Sequence, residues 1–163
     1  MLGLLGSSVV NAQIAGAGQY VSEAAKQDGF ALFSKGQVAP IVASKQDYAG
    51  VDRAIHNLQA DLAKVTQANA DIVYDQIPKG KKSIVLIGTL GKHPLIDQLV
   101  KNKKLNSSDL PGKWETFSIQ TINKPFSNID KALVIVGSDK RGTIFGAYDV
   151  SSQIGVSPWK LQT

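Results

Sequence analysis

The turn Ser138-Asp139-Lys140-Arg141-Gly142 holds the side chains of this sequence best suited to meeting a charged ligand. An arginine guanidinium is a planar fork that matches a carboxylate, and the neighbouring lysine adds a point charge. The same residues have structural uses. Asp139 can accept free amide protons at the start of a helix. Arg141 can pair with an acidic side chain or lay its stem over apolar surface. Elsewhere the chemistry is sparse. His56 and His93 stand far apart, and no Ser-His-Asp order or metal-ligand cluster stands out. The chain has no cysteine, which removes disulfides and thiolate metal sites. Gly88-Thr89-Leu90-Gly91-Lys92-His93 superficially resembles a phosphate-binding loop. That loop needs four residues between its glycines and then Gly-Lys-Ser/Thr, whereas two residues separate Gly88 from Gly91 here. Nucleotide binding is therefore not expected.

The charged turn is positioned by a strand and a helix. Ala132 to Val136 is an apolar, β-branched run ended by Gly137, the pattern of a buried strand. After the turn, Ile144, Ala147, Tyr148, Ser151 and Ile154 recur at helical spacing, and Gly155 is placed for a left-handed cap with Pro158 beyond it. Upstream, Gly29–Ser34 and Val38–Ala43 read as a hairpin about Lys35-Gly36-Gln37, with Pro40 at an edge or a strand start. Val51–Gln67 is the clearest amphipathic helix, and His56 lies beside its apolar face as a surface or boundary residue. Asp71–Ile77 is a short strand. Ser83–Leu90 is apolar almost throughout, so it is expected to be central and buried on both faces. Pro94–Val100 begins a helix with proline in its first turn. Thr116–Ile122 alternates as a strand, and Pro125-Phe126-Ser127 reads as the loop before the last strand. Trp114 is expected in the core or at a domain interface rather than as a sugar platform. Together these elements predict one α/β (α+β) domain, a mixed β-sheet with two to three helices packed on it.

At 163 residues the chain can build one core but is too short for a catalytic barrel of roughly 250 residues. The net charge of +5 is uneven: residues 1–78 sum to −2 and residues 79–163 to +7. Much of the excess sits at Lys79, Lys81, Lys82, Lys101, Lys103 and Lys104, in loops without interleaved aromatics. That argues against nucleic acid and for a solvated basic surface, with attraction to an acidic polysaccharide as its functional variant. No run is long enough to span a membrane. Met1–Ala12 is apolar, uncharged and ends in small residues, which is compatible with a clipped signal peptide.

The closing segment also carries a resemblance. Gly137 to Ile144, Gly146, Tyr148-Asp149 and Ile154-Gly155-Val156-Ser157-Pro158-Trp159 are similar, almost residue for residue, to the run that closes the N-terminal domain of the xylan α-1,2-glucuronidases, family 115 of the glycoside hydrolases. Gly112-Lys113-Trp114-Glu115 resembles the family as well. So does the Gly88–His93 loop, except that His93 stands where the family has serine. The resemblance covers roughly residues 28–159. It implies a signal-like or disordered segment over 1–27, a family-115-like N-terminal domain over 28–159, and a divergent tail at 160–163. The fold expected is similar to the small domain that precedes the barrel in hexosaminidase-like glycosidases.

The resemblance further implies a secreted or periplasmic enzyme that removes (4-O-methyl)glucuronic acid from glucuronoxylan by inverting hydrolysis, without a cofactor. Inverting enzymes hold two carboxyl groups roughly 6.5–9.5 Å apart. Asp139 and Asp149 are about ten residues apart, or roughly 15 Å at helical rise, and are poor partners. The family's catalytic residues lie beyond Trp159, where this chain diverges abruptly. No catalytic residue and no metal ligand is therefore assigned here. Asp139, Lys140 and Arg141 remain substrate-proximal candidates. The implied partners are a catalytic barrel and acidic xylan, with no nucleic acid and no membrane. Two rival readings stay open: a stand-alone carbohydrate- or partner-binding module, and a truncated, nonfunctional gene product.

Overall fold

The computed structural model describes residues 3–4, 8–11, 21–22 and 29–155, with side chains from residue 29 onward. The described residues form an α/β fold, a mixed sheet with three helices packed on it. In chain order the elements are β1 (Gly3–Leu4), β2 (Ser8–Asn11), β3 (Val21–Ser22), β4 (Phe30–Ala31), β5 (Phe33–Ser34), β6 (Gln37–Val38), β7 (Ile41–Ala43), α1 (Ala49–Thr66), β8 (Ile72–Tyr74), β9 (Ser83–Thr89), α2 (Pro94–Lys101), β10 (Thr116–Phe126), β11 (Ile129–Gly137) and α3 (Lys140–Gln153). The main sheet runs β2-β10-β11-β9-β7-β8. Strands β11, β9, β7 and β8 are parallel, and β10 and β2 pair antiparallel at the other side. Most of segment 1–27, the tail 160–163 and Val156–Trp159 lie outside the described residues.

Burial follows strand alternation. Val85, Ile87, Leu133, Ile135, Phe117 and Ile119 point to one face, where Val51, Ile55, Leu58 and Leu62 of α1 and Val150 of α3 cover them. Ile84, Leu86, Val134 and Val136 point to the other, against Ile96 and Leu99 of α2 with Leu105 and Leu110. The unbroken apolar run Ile84–Ile87 of β9 is thus explained by helices on both faces. Each such side chain taken from water contributes about 1.5–3 kcal/mol. Helix α1 carries Asp52 in its first turn and ends at Gln67, whose φ of 60° closes it in the left-handed region.

Several local expectations are corrected. The hairpin is shorter than its two apolar segments, because only β5 and β6 pair. Pro40 offers no donor. It ends that pairing, its carbonyl accepts from Val85 N at 2.9 Å, and the chain enters the main sheet as β7. Pro125 and Phe126 are strand, not loop. The β10–β11 register slips between Asn123 and Phe126, Lys124 takes φ 50°, and the proline sits in that irregularity, where no ladder donor is needed. The buried face of α3 is also rotated from the expected one. Thr143, Gly146, Ala147, Val150 and Ser151 are buried, Ile144 is half-buried and Tyr148 is exposed. The reason is close approach: a Cβ on Gly142 would lie 2.3 Å from the Thr116 carbonyl oxygen, and one on Gly146 2.9 Å from Ile135 Cγ2. Glycine at these positions lets α3 lie flat on β10 and β11. Gly155 has φ 92°, as its predicted cap role requires.

Candidate functional site

The parallel strands β7, β8, β9 and β11 end at one rim of the sheet, and β10 begins there. The charged turn therefore shares this rim with four other loops. Helix α1 follows β7 onto one face and α2 follows β9 onto the other, so adjacent strands send their connections to opposite sides. In open parallel sheets such a point opens a crevice at the strand ends.

Asp139 caps α3. Its Oδ1 accepts from Gly142 N at 2.7 Å, and its Oδ2 accepts from Glu115 N at 3.0 Å. The positive end of the α3 dipole is thus already met by the protein's own carboxylate. Ser138 completes the splice to β10: its N–H donates to Thr116 O at 2.8 Å, and its hydroxyl accepts from Thr116 N at 3.2 Å. Arg141 Nη1 lies 2.7 Å from Glu115 Oε1, with 65% of the arginine side chain exposed, and its guanidinium sits 5.8 Å from the Phe145 ring. Asp139 and Arg141 are therefore brought together on Glu115. Lys140 turns the other way, toward the start of α1; a Cβ on Gly50 would lie 3.7 Å from its Cε. Trp114, two residues before β10, is 84% exposed, which corrects the core expectation. His56 is on the surface, its Nδ1 donating to Asp52 O at 2.9 Å and lying 3.5 Å from the Asp52 carboxylate.

The crevice between β7 and β9 is closed by Asp47, which the sequence did not mark, acting on Thr89 and through it on Thr143. Asp47 Oδ2 accepts from Thr89 N at 2.6 Å, and Asp47 Oδ1 accepts from Thr89 Oγ1 at 2.8 Å and Tyr48 N at 2.8 Å. Thr89 Oγ1 gives its proton to Asp47 and accepts one from Thr143 Oγ1 at 2.8 Å, a proton for which Asp139 O at 3.0 Å is the competing acceptor. One hydroxyl-carboxylate chain thus joins the loops after β7, β9 and β11. The available signal was a polar loop, Ser44–Asp47, between a short apolar strand and a helix.

His93 is fully buried beneath this rim. Its Nε2–H donates to Val42 O at 3.1 Å, and Nδ1 has no hydrogen-bond partner among the described residues. Burial pushes its pKa down, partly opposed by the Val42 hydrogen bond and the carboxylates of Asp47, Asp75 and Asp97. Gly88 carries no side chain because His93 fills the space; a Cβ there would meet His93 Cδ2 at 2.6 Å. The ring is a packing element in place of the serine the resembled family carries.

Beside β8 an open cleft of about 300 Å³ is lined by Ser44, Lys45, Asp47, Ala49, Asp52 and Tyr74. Tyr74 OH donates to Asp52 Oδ1 at 2.6 Å, and burial followed by the Asp52 bond and charge raises its pKa to about 12. A Ser44 hydrogen bond holds Asp75 below the usual carboxylate range. Asp47 and Asp52 share this cleft, but Asp47 is held through both oxygens by Thr89 and Asp52 is engaged by Tyr74. The arrangement ties the loops together. Among the described residues no group of three His, Cys, Asp or Glu could hold a metal ion, and no helix is long and apolar enough to cross a membrane.

No protein-family model matches the chain, and no curated protein matches it. Among solved structures, the chain is similar to a family GH115 4-O-methyl-α-glucuronidase with specificity for decorated arabinogalactans, at 27% identity and a TM-score of 0.61. The match covers 80% of this chain and 15% of that protein.

Proposed function

We propose that this chain is a non-catalytic N-terminal domain of a GH115-like α-glucuronidase, a secreted or periplasmic enzyme that hydrolyses (4-O-methyl)glucuronic acid side groups from a decorated plant polysaccharide. The observation that carries the proposal is the match to a 4-O-methyl-α-glucuronidase over 80% of this chain but 15% of that protein. A domain of this size contributes a shoulder to a larger catalytic body. The family resemblance over residues 28–159 supports the same reading.

The rim geometry suits a docking role. Its carboxylates are engaged with neighbouring loops, and Trp114 stands exposed beside the Glu115–Arg141 pair. In this reading the rim meets a catalytic barrel, and Lys140 and Arg141 help orient the uronate carboxylate at its mouth. The polymer is glucuronoxylan by the sequence resemblance, and arabinogalactan is the alternative that the structural neighbour suggests.

The test is release of glucuronate from glucuronoxylan and from decorated arabinogalactan by the chain alone and with a GH115 catalytic portion lacking its own N-terminal domain. The chain alone releases none. The mixture co-elutes and releases glucuronate, and Arg141→Ala raises KM more than it lowers stability. Release by the isolated chain, or no association with the catalytic portion, overturns the proposal.

A further inference from the structure

The end of the sheet opposite the charged rim gathers lysines from four separate parts of the chain. Lys79, Lys81 and Lys82 lie in the turn that enters β9, and Lys35 lies in the β5–β6 turn. Helix α2 runs back from the rim, and the side chain of Lys104, just past its end, reaches toward this opposite pole. Contact confirms it: Lys104 Nζ donates to Lys124 O at 2.8 Å and Pro125 O at 3.2 Å, at the β10–β11 hairpin. Asp130, the acidic side chain of that hairpin, is already paired with Lys124 at 2.7 Å.

The pole is also concave. A depression of about 490 Å³ runs between the β5–β6 turn and Gly80–Ser83, with Lys35, Lys81 and Lys82 in its lining. A second, of about 310 Å³, lies between Ile77–Lys82 and Asn128. Gly80, Lys81 and Lys82 line both, so the two depressions share a wall and are taken together as one basic groove. Among the described residues Lys35, Lys79, Lys81 and Lys82 make no ion pair within 4 Å, and Lys82 acts on Asp130 only from farther away. Like charges left unpaired along a groove raise the local concentration of an opposite polymer.

We propose that this groove binds an acidic polysaccharide, a chain of sugars with regularly spaced carboxylates. The positive charges here are lysines, point charges on flexible stems that tolerate variable carboxylate spacing. Among the described residues no aromatic ring lines either depression, and the exposed Tyr48 and Trp114 belong to the opposite rim, so these residues offer the groove no stacking surface of the kind a single-stranded nucleic acid uses. The proposal stands apart from barrel docking, which uses the other end of the molecule.

The test is titration of the 163-residue chain with polygalacturonate, neutral dextran and a single-stranded RNA, at 50 and 200 mM salt. Polygalacturonate binds, dextran does not, and affinity falls roughly 10- to 100-fold across that salt range, as expected for about three neutralised charges. The triple variant Lys79→Gln, Lys81→Gln, Lys82→Gln loses about tenfold or more in affinity, while Lys45→Gln with Lys92→Gln at the rim changes it less than about twofold. If the triple variant does not fold, Lys35→Gln with Lys81→Gln, both in the groove lining, must show the loss instead. No binding at 50 mM, an equal loss from the rim variant, or tighter binding of RNA overturns the proposal. Failure here leaves the co-elution with a catalytic portion intact, and the reverse also holds.

Discussion

Asp47 grips Thr89 at two points, accepting from its backbone N–H at 2.6 Å and from its hydroxyl at 2.8 Å. The two residues are far apart in sequence but close the crevice between neighbouring parallel strands. A carboxylate that satisfies a strand-end amide and a buried hydroxyl leaves both unpaired when removed. Asp47→Ala should therefore cost about 2–3 kcal/mol, read as a lower urea midpoint with unchanged slope. Thr89→Val should cost about 1–2 kcal/mol, and the double variant less than the sum, because both remove the same contacts. Additive losses would show that the pair is not coupled.

Gly142 and Gly50 should respond oppositely to alanine. A methyl on Gly142 meets the Thr116 backbone oxygen at 2.3 Å, and backbone cannot step aside cheaply. Gly142→Ala should cost about 1–3 kcal/mol, with α3 displaced from β10. A methyl on Gly50 meets only flexible side-chain ends, Ile144 Cδ1 at 3.4 Å and Lys140 Cε at 3.7 Å. Gly50→Ala removes unfolded-state freedom in a helix and should be neutral or stabilise by up to about 1 kcal/mol. Thermal melts of the two variants separate these outcomes.

The Glu115–Arg141 pair is short but wet on the arginine side, and solvent screens it. A double-mutant cycle of Glu115→Ala and Arg141→Ala should give a coupling of about 0.2–1 kcal/mol in chemical denaturation. A coupling above about 2 kcal/mol would mean that the pair holds the rim together.

His93 makes stability fall toward acid pH. The folded state depresses its pKa through burial, so between that lowered value and about 6.5 the unfolded chain binds more protons than the folded one. The contribution is fully present above about pH 6.5 and is lost as pH falls toward the depressed folded value. The slope approaches at most about 1.4 kcal/mol per pH unit. Urea titrations at pH 7, 6 and 5 should show this decline, and His93→Phe should flatten it even if the variant is less stable throughout. Asp75 and Asp130, whose pKa values are lowered, lose their contributions only at more acid pH. An unchanged pH slope in His93→Phe would assign the decline elsewhere.

Residue pattern determined the elements and their type. The apolar continuity of Ser83–Leu90 meant a strand buried on both faces, that of Ala132–Val136 a buried strand, and the spacing from Val51 to Val65 a helix, because these signals are local patterns. Asp139 as a cap was legible for the same reason: a cap bonds amides within its own first turn. The rest depended on what the fold brings together. Strand order placed Glu115 against Asp139 and Arg141, and Asp47 against Thr89, across separations that no local pattern encodes. The face of α3 was read in part: Ala147, Ser151 and Ile154 are buried as expected, but Tyr148 is not, because Gly142 and Gly146, which look like weak helix positions, are the ones the sheet needs for close contact. The lysines were visible as scattered loop charges. Only the turn of α2 back across the sheet, and the hairpin that meets its end, collects them at one pole, since charge acts through space and not along the chain.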